Sequence, residues 1–137
     1  MDNDAIYGSI KRVSGWVDEV RHDVENHAFN GHKLDSKSAK RVIGSLAEMV
    51  NGFNAVSLVL RSDDDYGQAL VRNNRGFANY LTALVLMESD PAKSRELLES
   101  AEKDLKEAAD YYSLIEVSTN LERVQKALAG ELSDTAN

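Results

Sequence analysis

The chain has 137 residues, 42% hydrophobic and 28% charged, no cysteine, and a formal net charge of −7. That length and composition suit one globular domain with a core and argue against wholesale disorder. Without cysteine there are no disulfides and no thiolate metal sites. The pI is about 4.9, and the basic residues Lys11, Arg12, Arg21, Lys33, Lys37, Lys40 and Arg41 are spread among acids, so direct nucleic-acid binding is not expected.

No apolar run approaches the roughly 20 residues of a membrane span. The opening Met1-Asp2-Asn3-Asp4 lacks the basic and apolar regions of a secretory signal. A cytoplasmic location, with no membrane partner, is the expectation.

The first element carries an apolar seam of Ile6, Ile10, Val13, Val17, Val20 and Val24. Alternating steps of four and three put all six on one face of an α-helix, here expected from Asn3 or Asp4 to about Ala28. Phe29 to Leu34, with its Asn30-Gly31 turn signal, is the first loop. The second helix, capped by Asp35 or Ser36 and ending near Leu60 or Arg61, repeats the seam 36 residues later: Val42, Leu46, Met49, Phe53, Val56, Leu60. Two antiparallel helices zipped along these seams account for the match. Between Val42 and Leu60 the only charged residue is Glu48. A second face carries Ile43, Ala47, Val50, Ala55, Leu58 and Val59. Such a helix is expected at the centre of the bundle or at a subunit interface.

Ser62-Asp63-Asp64-Asp65 supplies a cap and acids at the positive end of a third helix, about Asp64 to Glu88. Asp90-Pro91 starts a fourth, with Asp as cap and Pro at the first helical position. Leu98, Ala101, Leu105, Ala108, Tyr112 and Ile115 share one stripe. Leu114, Val117, Leu121, Val124 and Leu128 share another, nearly opposite. One straight helix cannot bury both. The fourth helix is therefore expected to end near Val117, and a fifth, marked by the capping box Thr119-Asn120-Leu121-Glu122, to start near Asn120 and end near Ala129-Gly130. Residues 1–132 form the domain, and 133–137 are expected to be a flexible tail. The fold class is all-α: an antiparallel up-down four-helix bundle with a short fifth C-terminal helix.

Arg21-His22-Asp23-Val24-Glu25-Asn26 resembles the phosphoacceptor helix of sensor histidine kinases. The resemblance implies His22 as phosphoacceptor, with Asp23 and Asn26 assisting; it covers six residues. Glu96, Glu99, Glu102, Glu107 and Asp110 resemble the magnesium-holding helices of helical nucleotide pyrophosphohydrolases. That family draws its carboxylates from two facing helices, and here all lie on one, interleaved with lysines as a solvated face. Arg72-Asn73-Asn74-Arg75-Gly76-Phe77-Ala78-Asn79-Tyr80 resembles the Arg-Asn…His-x-Tyr signature of small helical ribonucleases. Phe77 stands where the base should be, so that chemistry lacks its proton acceptor. The histidines His22, His27 and His32 are spaced by five, which fans them around a helix, so no metal and no cofactor is expected.

Gly8 and Gly15 lie on the back of the first helix, away from its seam. Glycine there costs about 1 kcal/mol relative to alanine, which points to something approaching that backbone closely. Asn73 and Asn74 flank the stripe of Tyr66, Leu70, Phe77, Leu81 and Leu84. Buried asparagines need partners and often fix register. The reading favoured by the residues is a non-catalytic acidic adaptor, regulator or inhibitor. It binds a protein partner, a basic one by charge, and forms a homo-oligomer. Gly8, Gly15 and Asp63-Asp64-Asp65 are its candidate surface. The alternatives are histidine phosphotransfer on His22 and an acidic mimic of nucleic acid.

Overall fold

The computed structural model describes residues 3–131, which form five α-helices. They are α1 (Asn3–Phe29), α2 (Ser36–Val59), α3 (Asp65–Leu86), α4 (Pro91–Tyr111) and α5 (Ile115–Leu128). There is no strand among the described residues, and successive helices pack antiparallel, α5 being the shortest. The proposed tail at 133–137 lies outside the described residues.

The helix starts follow local chemistry. Asp35, Asp64 and Asp90 are the N-caps of α2, α3 and α4, each side chain accepting a backbone N–H from the first turn. Each thus satisfies one of the donors a helix start leaves unpaired. Pro91 then opens α4 where its missing N–H costs nothing.

The two seams meet as expected. Ile6, Ile10, Val13, Val17 and Val24 of α1 and Val42, Leu46, Met49 and Phe53 of α2 are buried in one core. The centre of the bundle, however, is α3 and not α2. Helix α3 packs against all four others, while α1 and α2 make no close backbone approach to α4 or α5. Buried positions on α2 are confined to Val42, Leu46, Met49 and Phe53. On its second face Ala47, Ala55, Leu58 and Val59 are exposed, Leu58 at 87%. Among the described residues α2 alone is long and apolar enough to cross a membrane by length and composition. The expectation that no segment approaches a membrane span is thereby corrected for α2: Ser45, Glu48, Asn51 and Asn54 divide it into short apolar runs, yet its mean hydropathy stays high.

What admits α3 to the centre is small size. Ala69, Ala78 and Ala83 are fully buried. At Gly76 a Cβ would stand 3.1 Å from Leu105 Cγ and 3.3 Å from the Ala101 carbonyl oxygen. Glycine lets α4 come this close. By contrast, a Cβ at Gly8 or Gly15 meets nothing within 4 Å, so none of the described residues explains the glycines of α1.

The α4–α5 junction also departs from expectation. Helix α4 stops at Tyr111, and Tyr112 and Leu114 are extended (φ −160°, ψ 138° and φ −124°, ψ 135°). Helix α5 therefore begins at Ile115, five residues before the expected start. Thr119 does not cap; its Oγ1 donates to the Ile115 carbonyl one turn back, 3.1 Å away. The change of apolar phase was real, but it is accommodated earlier. The early start buries Val117, Asn120, Val124 and Ala127 and leaves Tyr112 and Ile115, expected on the buried stripe, in solvent.

Candidate functional site

Because α1 and α5 both lean on α3 without closing on each other, a cleft of about 330 Å³ opens between them. Ser14, Asp18 and Arg21 come from α1, Asn73, Asn74 and Phe77 from α3, and Glu116, Asn120 and Arg123 from α5, with Ile115 on the rim. The floor is a hydrogen-bonded chain. Arg123 Nη1 donates to Asn120 Oδ1 at 2.8 Å, and Asn120 Nδ2 donates to Asn73 Oδ1 at 3.0 Å. Asn73 and Asn120 are both buried. Each buried amide thereby supplies the partner the other needs, and the pair sets the register of α5 on α3. Beside it Ser14 Oγ donates to Asn74 Oδ1 at 3.2 Å, while Asn74 Nδ2 donates to the Leu70 carbonyl at 2.9 Å. The guanidinium carbons of Arg21 and Arg123 lie 5.3 Å and 5.7 Å from the Phe77 ring centroid, within cation–π range. Phe77 is thus a seat for two arginines where a nuclease base would have been.

Ser14 and Asn74 are shared with a second groove of about 410 Å³, which runs along α1 and α3 past Tyr7, Ile10, Tyr66 and Leu70. Tyr7, Tyr66 and Tyr112 stack edge to face, with centroids 5.8 Å and 5.2 Å apart. Tyr7 donates to Asp64 Oδ2 at 2.7 Å. That bond, burial and the charge of Asp64 push its phenol up to about 12, so Tyr7 stays protonated at neutral pH and serves as an anchor. Arg72 lies 4.7 Å over Tyr111 and pairs with Glu107. At this end of the bundle Tyr66, Tyr111 and Tyr112 are 42%, 37% and 47% exposed, and Ile115 is 84% exposed.

The residues singled out from sequence do not converge. His22 and Asp23 are exposed on α1, and Asn26 places its amide nitrogen 3.1 Å from His22 Nε2. Asp63 pairs with Arg61, Asp64 caps α3 and holds Tyr7, and Asp65 is exposed in the first turn of α3. Among the described residues no three His, Asp or Glu side chains are arranged to hold a metal ion. Sequence reasoning missed Asn120, Arg123, Tyr112 and Ile115 as site residues. One signal was available: Asn120 is the polar member of the buried 117-120-124-127 spacing. Comparison with known proteins supplies no assignment: no family model matches, and no curated protein or solved structure compared with the chain matches it.

Proposed function

We propose that the protein is a cytoplasmic, non-catalytic binding module, an adaptor or inhibitor, whose tyrosine-rich end receives a basic segment of a protein partner. The observation that carries the reading is Ile115, 84% exposed at the rim of a polar cleft beside three exposed tyrosines. An apolar side chain of that size in water, next to tyrosine and arginine, has the composition of an interface anchor. The surrounding charge is acidic: Asp65, Asp110 and Glu116 are exposed at the same end. The acidity favours a basic partner and a salt-sensitive association rate.

The alternatives draw less support. A nucleic-acid mimic needs a row of free carboxylates, whereas Asp63 and Asp64 are engaged within the chain. Phosphotransfer rests on His22 alone, an exposed histidine with an amide neighbour.

Affinity capture from the native host with mass spectrometry tests the proposal. The wild type is expected to retain a specific basic protein. Ile115→Ser with Tyr112→Ser, which alters only exposed positions, is expected to lose it while keeping its helical circular dichroism. Retention by the variant would move the surface elsewhere. Acid-labile label from acetyl phosphate, lost in His22→Gln, would replace the binding reading with phosphotransfer.

A further inference from the structure

At the end of the bundle away from the tyrosines, the α1–α2 loop and the α3–α4 turn meet around a cavity of about 430 Å³. Its wall is apolar: Leu34, Ala39 and Ile43 on one side, Val85 and Leu86 of α3 on the other. That size falls within the roughly 300–1,000 Å³ of small-molecule sites, which combine an apolar wall with a few placed polar groups. His27, in the last turn of α1, is the one buried polar residue of the lining, at 9% exposure. A single bond orients its ring: Nδ1 accepts the Leu34 N–H at 2.8 Å. A neutral imidazole that accepts at Nδ1 carries its proton on Nε2. Burial lowers its pKa, which keeps the ring neutral at neutral pH. The Nε2–H has no hydrogen-bond partner among the described residues. No fully buried side-chain nitrogen among them lacks one, so Nε2 must reach accessible surface, and the surface His27 borders is this cavity. The mouth carries charge opposite to that of the molecule. Lys33 Nζ pairs with Glu88 Oε1 at 2.8 Å, which neutralises the one carboxylate of the lining. Lys40 is exposed and joins no ion pair among the described residues. Two lysines against one glutamate leave the lining positive on a chain of net charge −7.

We infer that this cavity binds a small monocarboxylate with an apolar body, such as a medium-chain fatty acid or an arylalkanoate, whose head accepts from the Nε2–H of His27 and faces the ammonium of Lys40. The chemistry of the head follows from what the lining offers. An amine would leave the Nε2–H without an acceptor and would meet two lysines. A neutral carbonyl would satisfy the Nε2–H and make no use of Lys40. A carboxylate only accepts, carries two oxygens and gains from a charged donor, so it takes both groups at once. Lys40 borders the same small cavity, and its flexible stem can bring the ammonium to the head that His27 binds. The apolar body replaces water against Leu34, Ile43 and Val85. The bond that ties Leu34 to His27 also presets the donor, so binding demands little reorganisation. His27 and Tyr7 lie at opposite ends of α1, so this inference goes beyond the protein-binding reading above and does not depend on it.

The test is an amide-shift titration of the full chain with sodium octanoate and, separately, sodium phenylbutyrate, both kept below micelle-forming concentrations. At least one acid is expected to move the amides of Leu34, Ile43 and Val85 saturably while those of Tyr112 and Ile115 stay in place. Octanol and octylamine should bind severalfold more weakly than octanoate. Lys40→Glu, at an exposed position, should weaken binding of the acid roughly fivefold or more by setting a like charge at the mouth. His27→Phe keeps a ring and removes the donor, and should weaken binding roughly tenfold. His27→Gln, whose amide can both accept and donate, should restore part of that loss. If circular dichroism shows His27→Phe to be unfolded, Ala39→Phe replaces it: the half-buried position fills the cavity and should abolish binding. The absence of saturable shifts with both acids would overturn the inference, as would an affinity indifferent to Lys40→Glu and to the cavity variant. Equal or tighter binding of octanol would overturn it in favour of an apolar cleft that recognises no head group, and of octylamine in favour of Glu88 as the anchor. Shifts spread over exposed faces such as that of α2 would equally overturn it, as detergent-like adsorption.

Discussion

Helices α2 and α3 exchange the roles their compositions suggest. Helix α2 has one charged residue between Val42 and Leu60 and buries only one face. Helix α3 contains Arg72, Asn73, Asn74 and Arg75 in a row, yet thirteen of its 22 residues are buried. Apolar content measures what a helix gains by burial; it does not say how many neighbours can reach it. Access to the centre depends on small residues that admit other helices and on partners for every polar group that goes in. Helix α3 has both. Arg75 grips Asp104 of α4 at 2.8 Å and 2.6 Å and Asn54 of α2 at 3.0 Å, tying three helices with one guanidinium. Among the described residues no buried side-chain nitrogen or oxygen lacks a partner.

The sharpest way to break this contrast is to truncate apolar residues on both helices. Leu81→Ala on α3 and Leu46→Ala on α2, each at 0% exposure, should both cost about 2–5 kcal/mol in urea denaturation. Val59→Ala, on the second face of α2 at 49% exposure, should stay within about 0.5 kcal/mol. Equal losses at all three would restore α2 to the centre.

The polar half of the argument is tested at the clamp. Asp104→Ala leaves the Arg75 guanidinium half-buried without its carboxylate and should lower stability by about 1–3 kcal/mol. The pair keeps some access to water, so the loss stays below that of a fully buried ion pair. Arg75→Met with Asp104→Leu should recover much of it, because removing both charges removes the unpaired one. A double variant as weak as the single one would show that the apolar shapes do not fit there.

One substitution at two glycines should then have opposite signs. Gly15→Ala, facing open space on α1, should stabilise by up to about 1 kcal/mol through helix propensity. Gly76→Ala gains the same propensity but presses on Leu105 and the α4 backbone, so it should be a net loss of up to about 2 kcal/mol. Loss of stability at Gly15 would mean that something covers the back of α1 in solution.

The smallest effect is in pH. His27 Nδ1 accepts the Leu34 N–H at 2.8 Å, a bond only the neutral ring can make. Burial, reinforced by Lys33, holds its pKa below the ordinary value of 6.5. The unfolded chain therefore takes up the proton first. The contribution of His27 to stability is present above pH 6.5 and fades as pH falls through the lowered folded value. Comparing denaturation at pH 7.5 and 5.5, the wild type should lose more than His27→Gln; an equal loss would assign the dependence to other groups.

Much of the fold was legible without coordinates. Asp90 marked one helix start outright, and two more were narrowed to Asp35 or Ser36 and to Ser62–Asp65, because a cap is a contact between residues three apart; the structure picks Asp35 and Asp64. The seams of α1 and α2 were readable because helical periodicity is a property of one segment. The α4–α5 break was sensed from apolar phase and misplaced, since the stripes do not say where the chain turns. The candidate site was hardly legible. Asn73 and Asn120 are 47 residues apart, and nothing local to either names the other. The rank of α3 over α2 was likewise settled only by packing. Burial is a count of neighbours, and neighbours are decided by which backbones can approach, as at Gly76 against Ala101. Local spacing determined where the helices lie along the chain; the meeting of distant surfaces decided which of them is the core and which side chains stay in water.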